Sequence, residues 1–124
     1  MTKMRALLLI VASWLLLTAP TRAALAEGPF DGLWRVRIMT EAGPCPGFRY
    51  PVQITDGRLL SAEQSGDSGT LITGSVDSRG QVRANVRRGV DRGEGRGQLS
   101  GNAGSGTWNS ETRGCTGTWT AIRN

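Results

Sequence analysis

One serine stands where a nucleophile could be expected: Ser68, in Gln64-Ser65-Gly66-Asp67-Ser68-Gly69-Thr70. A serine hydroxyl attacks only when a base within hydrogen-bond reach takes its proton. The 124 residues include no histidine, and the one lysine is Lys3. Ser, Gly and Asp tolerate turn dihedrals, so residues 65–69 are expected to form a turn. The missing histidine also removes the commonest general base and metal ligand. The carboxylates of Asp56, Asp67, Asp77 and Asp91 fall in expected turns, where aspartate usually caps the turn itself. Nothing selects two acids for a paired-carboxylate hydrolysis. Two cysteines without histidine do not make a zinc set. The expectation is a protein that is not an enzyme and uses no metal and no cofactor.

Binding chemistry has better candidates. Trp34, Trp108, Trp119 and Tyr50 offer large aromatic surface with a polar handle, either as core or as a stacking surface for a ligand. Trp108 is the strongest of them, because its neighbours are Gly, Ser, Thr and Asn. Cys45 and Cys115 are the only cysteines, and in an oxidising compartment they are expected to pair.

The compartment is read from the first 26 residues. "MTKMR" is basic, "ALLLIVASWLLLTAP" is apolar, and Ala24-Leu25-Ala26 fits a small-x-small cleavage site. Together they predict a signal peptide over 1–26, a single domain over 27–124, and a periplasmic or extracellular location. The apolar run is short for a membrane span, so no integral span is expected after cleavage. Fifteen basic residues less Lys3, Arg5 and Arg22 leave twelve, all arginine, against ten acids that all lie after residue 26. A charge of about +2 in an exported chain without a recognition motif gives no reason to expect a nucleic-acid partner. Arg35, Arg37, Arg83, Arg87 and Arg88 are read as a solvated outward strand face, with a basic surface for lipopolysaccharide or acidic glycans as the alternative.

The elements that must position these residues show a period of two. Trp34, Val36 and Ile38 alternate with Arg35 and Arg37; Phe48, Tyr50, Val52 and Ile54 share one face, as do Val82, Ala84 and Val86. Such alternation marks strands with one buried and one wet face. Turn signals recur about every ten residues, including Thr55-Asp56-Gly57, Asp77-Ser78-Arg79-Gly80, 89–93, 101–106 and 110–114. This layout predicts eight strands, at 32–40, 48–55, 58–64, 70–77, 81–88, 93–100, 104–110 and 115–123. Short connections favour antiparallel neighbours. The fold class is all-β: a small up-and-down barrel of about eight strands, with a flattened β-sandwich as the alternative. In the barrel the last strand lies beside the first, which brings Cys115 near Cys45 and joins the closing seam. Gly93, Gly95 and Gly97 alternate along the sixth strand, either for barrel curvature or to admit a ring from a neighbouring strand.

Three resemblances follow from these residues. Residues 66–69 resemble the segment around the nucleophilic serine of chymotrypsin-like proteases, whose pattern continues with a second glycine where Thr70 stands here. Gly32-Leu33-Trp34 resembles the Gly-x-Trp on the first strand of lipocalins and avidin-like barrels; Gly106-Thr107-Trp108 and Gly117-Thr118-Trp119 share the tripeptide. The lipocalin resemblance implies that a late arginine, here Arg123, packs across Trp34 at the closed end. The chain as a whole is similar to small secreted glycine-rich β proteins of proteobacteria, a likeness that implies no activity. The leading expectation is a non-enzymatic secreted or periplasmic barrel that binds a small hydrophobic or aromatic ligand or an envelope component. A secreted protease inhibitor and a structural envelope protein without ligand are the alternatives.

Overall fold

The computed structural model describes residues 28–62 and 69–124. The segment expected to be a signal peptide, and Ser68 with most of the turn expected around it, lie outside the described residues. Eight strands follow one another: β1 (Gly32–Ala42), β2 (Phe48–Thr55), β3 (Arg58–Ser61), β4 (Thr70–Val76), β5 (Gln81–Arg88), β6 (Asp91–Ser100), β7 (Ala103–Ser110) and β8 (Cys115–Arg123). Each pairs antiparallel with the next, and β8 pairs with β1, so the sheet closes into an up-and-down barrel. Closure leaves no unpaired sheet edge. The flattened sandwich is therefore not the fold.

The alternation decides which residues face inward. Trp34, Tyr50, Val52, Ile54, Leu59, Ile72, Val76, Val82, Leu99, Trp119 and Ala121 form the buried core. The intervening positions, Arg35, Arg37, Arg83 and Arg96 among them, are exposed. Turns are tighter than the composition suggests. Only Gly89 and Val90 separate β5 from β6, and only Gly101 and Asn102 separate β6 from β7. Gly89 has φ +61°, as the first position of a two-residue type II′ hairpin requires. The expected turns at 89–93 and 101–106 thus shrink, and β6 and β7 start earlier than read. Asp56 and Gly57, with φ 51° and 75°, make the Asp-Gly turn between β2 and β3. A register shift between Thr40 and Ala42 lets β1 run two residues past the expected end.

One end of the barrel is plugged. The turn at 28–31 crosses it, with the Asp31 amide donating to the Gly28 carbonyl at 2.9 Å. Arg123, near the end of β8, lies 5.2 Å above the Trp34 ring. Its Nη1 donates to the carbonyls of Pro29 (3.0 Å) and Asp31 (3.1 Å), its Nη2 to Gly101 (3.1 Å) and its Nε to Asn102 Oδ1 (2.9 Å). Trp34, fully buried, donates Nε1 to the Phe30 carbonyl at 2.8 Å. One guanidinium therefore joins the N-terminal turn, the β6–β7 turn and the end of β8.

Candidate functional site

An apolar cavity of about 160 Å³ lies inside the barrel. Its position follows from the sequence of inward residues. Register pairs Gly74 of β4 with Ala84 of β5, and Ala84 with Gly95 of β6. These three inward residues stand side by side around the wall. Each is too small to reach the barrel axis. An eight-stranded barrel is only just filled by ordinary side chains, so Ala84 and Gly95, which line the cavity, leave a gap beside that wall; at Gly74 a Cβ would press on the Arg83 carbonyl oxygen, so that glycine serves close strand approach.

The tryptophans fill the other side. Trp119 of β8 faces Gly106 of β7. Its indole crosses Gly106 and donates Nε1 to the Arg96 carbonyl on β6 at 3.0 Å. A Cβ built on Gly106 would stand 2.6 Å from that Nε1. Trp108 of β7 faces Gly117 of β8 and crosses it the opposite way, donating Nε1 to the Met39 carbonyl on β1 at 2.9 Å. A Cβ on Gly117 would stand 2.7 Å from the Trp108 nitrogen. Gly97, Gly106 and Gly117 are thus bare so that rings can lie over the backbone. Gly95 is different: a Cβ there would meet nothing nearer than 3.8 Å.

The cavity opens at the end away from Arg123. Ile38, Pro46, Phe48, Val86 and Trp108 line its apolar neck. The disulfide Cys45–Cys115 stands at this rim, with 6.1 Å between the Cα atoms, and Cys45 lines the cavity. The pairing expected from topology is thus present, and the bridge joins the β1–β2 connection to the start of β8 beside the β1–β8 seam. Next to the bridge along the rim, Arg113 Nη1 meets Asp91 Oδ2 at 3.4 Å. Ser110 Oγ donates to the Arg92 carbonyl at 2.6 Å, and the Arg92 amide donates to Thr112 Oγ1 at 2.9 Å. These bonds tie the β7–β8 connection to the start of β6.

Of the four aromatic candidates, Trp34, Trp108 and Trp119 line the cavity. Tyr50 is buried beside Phe48, with ring centroids 6.0 Å apart at 83°, and its hydroxyl donates to the Thr70 carbonyl at 3.2 Å. It is not among the cavity's described lining residues. Arg88 was read as outward but lines the opening. Strand alternation explains this correction: Val86 points in, so Arg87 points out and Arg88 points in again. Arg35 and Arg37 on β1 and Arg83 and Arg87 on β5 stand on opposite walls of the ring, so the arginines do not form one surface. Phe48, Ile38 and Pro46 were not singled out as site residues. The signal for Phe48 and Ile38 was their place at the same-end termini of inward faces.

Chemically the arrangement can hold an apolar molecule beside indole faces. Among the described residues no group of three or more His, Cys, Asp or Glu could hold a metal ion. Arg123 packs across Trp34 at the plugged end, the contact expected for this pair of residues. Compared with family models, with curated proteins and with solved structures, the chain matches none.

Proposed function

We propose that this protein is an exported, non-enzymatic β-barrel that binds a small apolar or aromatic molecule in its interior. The observation that carries the reading is the gap beside Ala84 and Gly95, open at one end and plugged by Arg123 at the other. An apolar cavity of about 150 Å³ is known to admit a benzene-sized molecule, which sets the size class. The disulfide supports export, because such bonds persist in oxidising compartments; the basic, apolar and small-residue order of 1–26 supports a signal peptide and a periplasmic or extracellular site. Outward residues such as Arg35, Arg37, Arg83, Arg96 and Thr107 invert the apolar lipid-facing band of a membrane-spanning barrel. An inhibitor that inserts its N-terminal segment fits less well, since residues 28–31 are held by Arg123.

The test is calorimetric titration with toluene. Saturable binding at one site is expected. Ala84→Leu, which fills the gap from β5, should abolish it while leaving the fold intact by circular dichroism. Absence of saturable binding, or equal binding by the filled variant, overturns the proposal.

A further inference from the structure

The outer wall over β3–β6 is unusual in its pairing. Arg83 stands directly opposite Arg96, and Arg87 directly opposite Arg92. Like charges placed opposite one another across antiparallel strands destabilise the sheet. Arg58 of β3 extends the upper row: it pairs with Ser75, which pairs with Arg83. All five arginines are exposed. Among the described residues none of the five side chains joins an ion pair. The single carboxylate on this wall is Glu94, opposite Asn85 between the two arginine pairs.

Apolar groups border this charge. Leu71 stands opposite Arg87 and is 46 % exposed; Leu60, two strands from Asn85, is 53 % exposed. Val90, at the tip of the β5–β6 turn, is 89 % exposed. Arg83 and Arg87, four residues apart on one strand, are about 13 Å apart along the wall. Four to five guanidinium groups at such spacing, each able to grip a phosphate with two N–H bonds, complement a sheet of anionic headgroups. Leucine and valine beside them suit insertion among acyl chains, as on interfacial lipid-binding surfaces. A soluble acidic polymer would match the arginines but give Leu71 and Val90 no partner.

We infer that the β3–β6 wall, with Arg58, Arg83, Arg87, Arg92, Arg96, Leu71 and Val90, docks the barrel on an anionic phospholipid surface. This inference stands independently of the interior ligand.

The experiment is sedimentation of the protein, purified from the cell that makes it, with vesicles containing phosphatidylglycerol. Phosphatidylcholine vesicles are the neutral control, so any uncharged attraction of the N-terminal apolar segment cancels. Charge-dependent binding that weakens with salt is expected. Arg87→Ser with Arg92→Ser should lower the partition coefficient about 25-fold, roughly fivefold for each arginine at low salt. Arg35→Ser with Arg37→Ser, on the opposite wall, should change it by no more than about twofold. Leu71→Ser with Val90→Ser should lower it several-fold and leave retention on immobilised heparin unchanged. The Arg87/Arg92 variant should melt no lower than the parent, because a like-charge opposition is removed. Equal binding to neutral vesicles, no loss in the β5–β6 variant, or an equal loss in the β1 variant overturns the inference. Loss through the arginines alone, with Leu71 and Val90 without effect, also overturns it, in favour of a soluble polyanion.

Discussion

Gly106→Ala is a one-carbon change whose cost can be worked out from the inner face of β7. The new Cβ would stand 2.6 Å from Trp119 Nε1 and 2.7 Å from the Gly97 Cα, and would also press on the Arg96 carbonyl oxygen. That oxygen accepts the Trp119 N–H, so the methyl group enters the hydrogen bond itself. Overpacking of this kind costs about 1–3 kcal/mol, and weakening the buried bond costs about 0.5–1.5 kcal/mol. Alanine restricts the unfolded chain, which offsets about 0.4–1 kcal/mol. The net expectation is a loss of about 2 kcal/mol. For a domain of this size that lowers Tm by roughly 8–16 °C. Gly95→Ala is the control, one strand away on the same inner face. Its Cβ would meet only atoms at 3.8 Å, and its φ is not positive. Only the unfolded-state effect remains, so stability should rise by about 0.4–1 kcal/mol. Both are measured by thermal and urea unfolding followed by far-ultraviolet circular dichroism. Trp119→Phe removes the clashing nitrogen, so Gly106→Ala should cost less in that background, by at least about 1 kcal/mol of coupling. The same sign of change for Gly106→Ala and Gly95→Ala would refute the claim that one glycine is filled over and the other open.

Three further outcomes follow from named contacts. Replacing Cys45 and Cys115 by alanine should destabilise the barrel by up to about 4 kcal/mol, the chain-entropy figure for a loop of this length, with the β spectrum retained; two alkylatable thiols in freshly isolated parent protein would contradict the bridge. Arg123→Lys should lose about 2 kcal/mol in urea unfolding, because an ammonium cannot replace a planar fork that reaches four acceptors in two turns; an unchanged midpoint would show that the plug does not depend on the guanidinium. Trp108→Phe should remove most of the change in tryptophan emission that toluene causes, and an unaltered signal would exclude Trp108 as the reporter.

Much of the fold was legible because one face of every strand is buried. The runs Trp34-Val36-Ile38 and Tyr50-Val52-Ile54 have no helical reading, and a one-residue slip would turn each inside out. Short connections then left few topologies, and an even strand number placed Cys115 beside the end of β1. Turn lengths were less legible. Glycine marks a turn in "GVDRG" and "GNAGSG", but the same residue also serves inside a strand. Only the register shows that Asp91 and Arg92 belong to β6 and Ala103 to β7. Arg87-Arg88 illustrates a different failure: both were read as outward, although alternation allows this for one only.

The site was legible as a set of aromatic residues but not as a space. Alternating glycines on β6 carry no mark of which will be covered. Gly97 and Gly95 are two residues apart on one inner face, yet Trp119 presses on the first and leaves the second open. The difference lies in the direction each indole takes. Trp108 is the cross-strand neighbour of Gly95, and a ring turned towards β6 would close the gap. It turns instead across Gly117 to the Met39 carbonyl, where β1 offers an acceptor and Gly117 offers room. Trp119 takes the mirror path to β6 because Gly106 clears the way to the Arg96 carbonyl. The two glycines on β7 and β8 therefore fix both rings, and the rings decide where the barrel is full. The cavity beside Ala84 and Gly95 is thus set by contacts between strands β6, β7, β8 and β1, which no run of residues along a single strand displays.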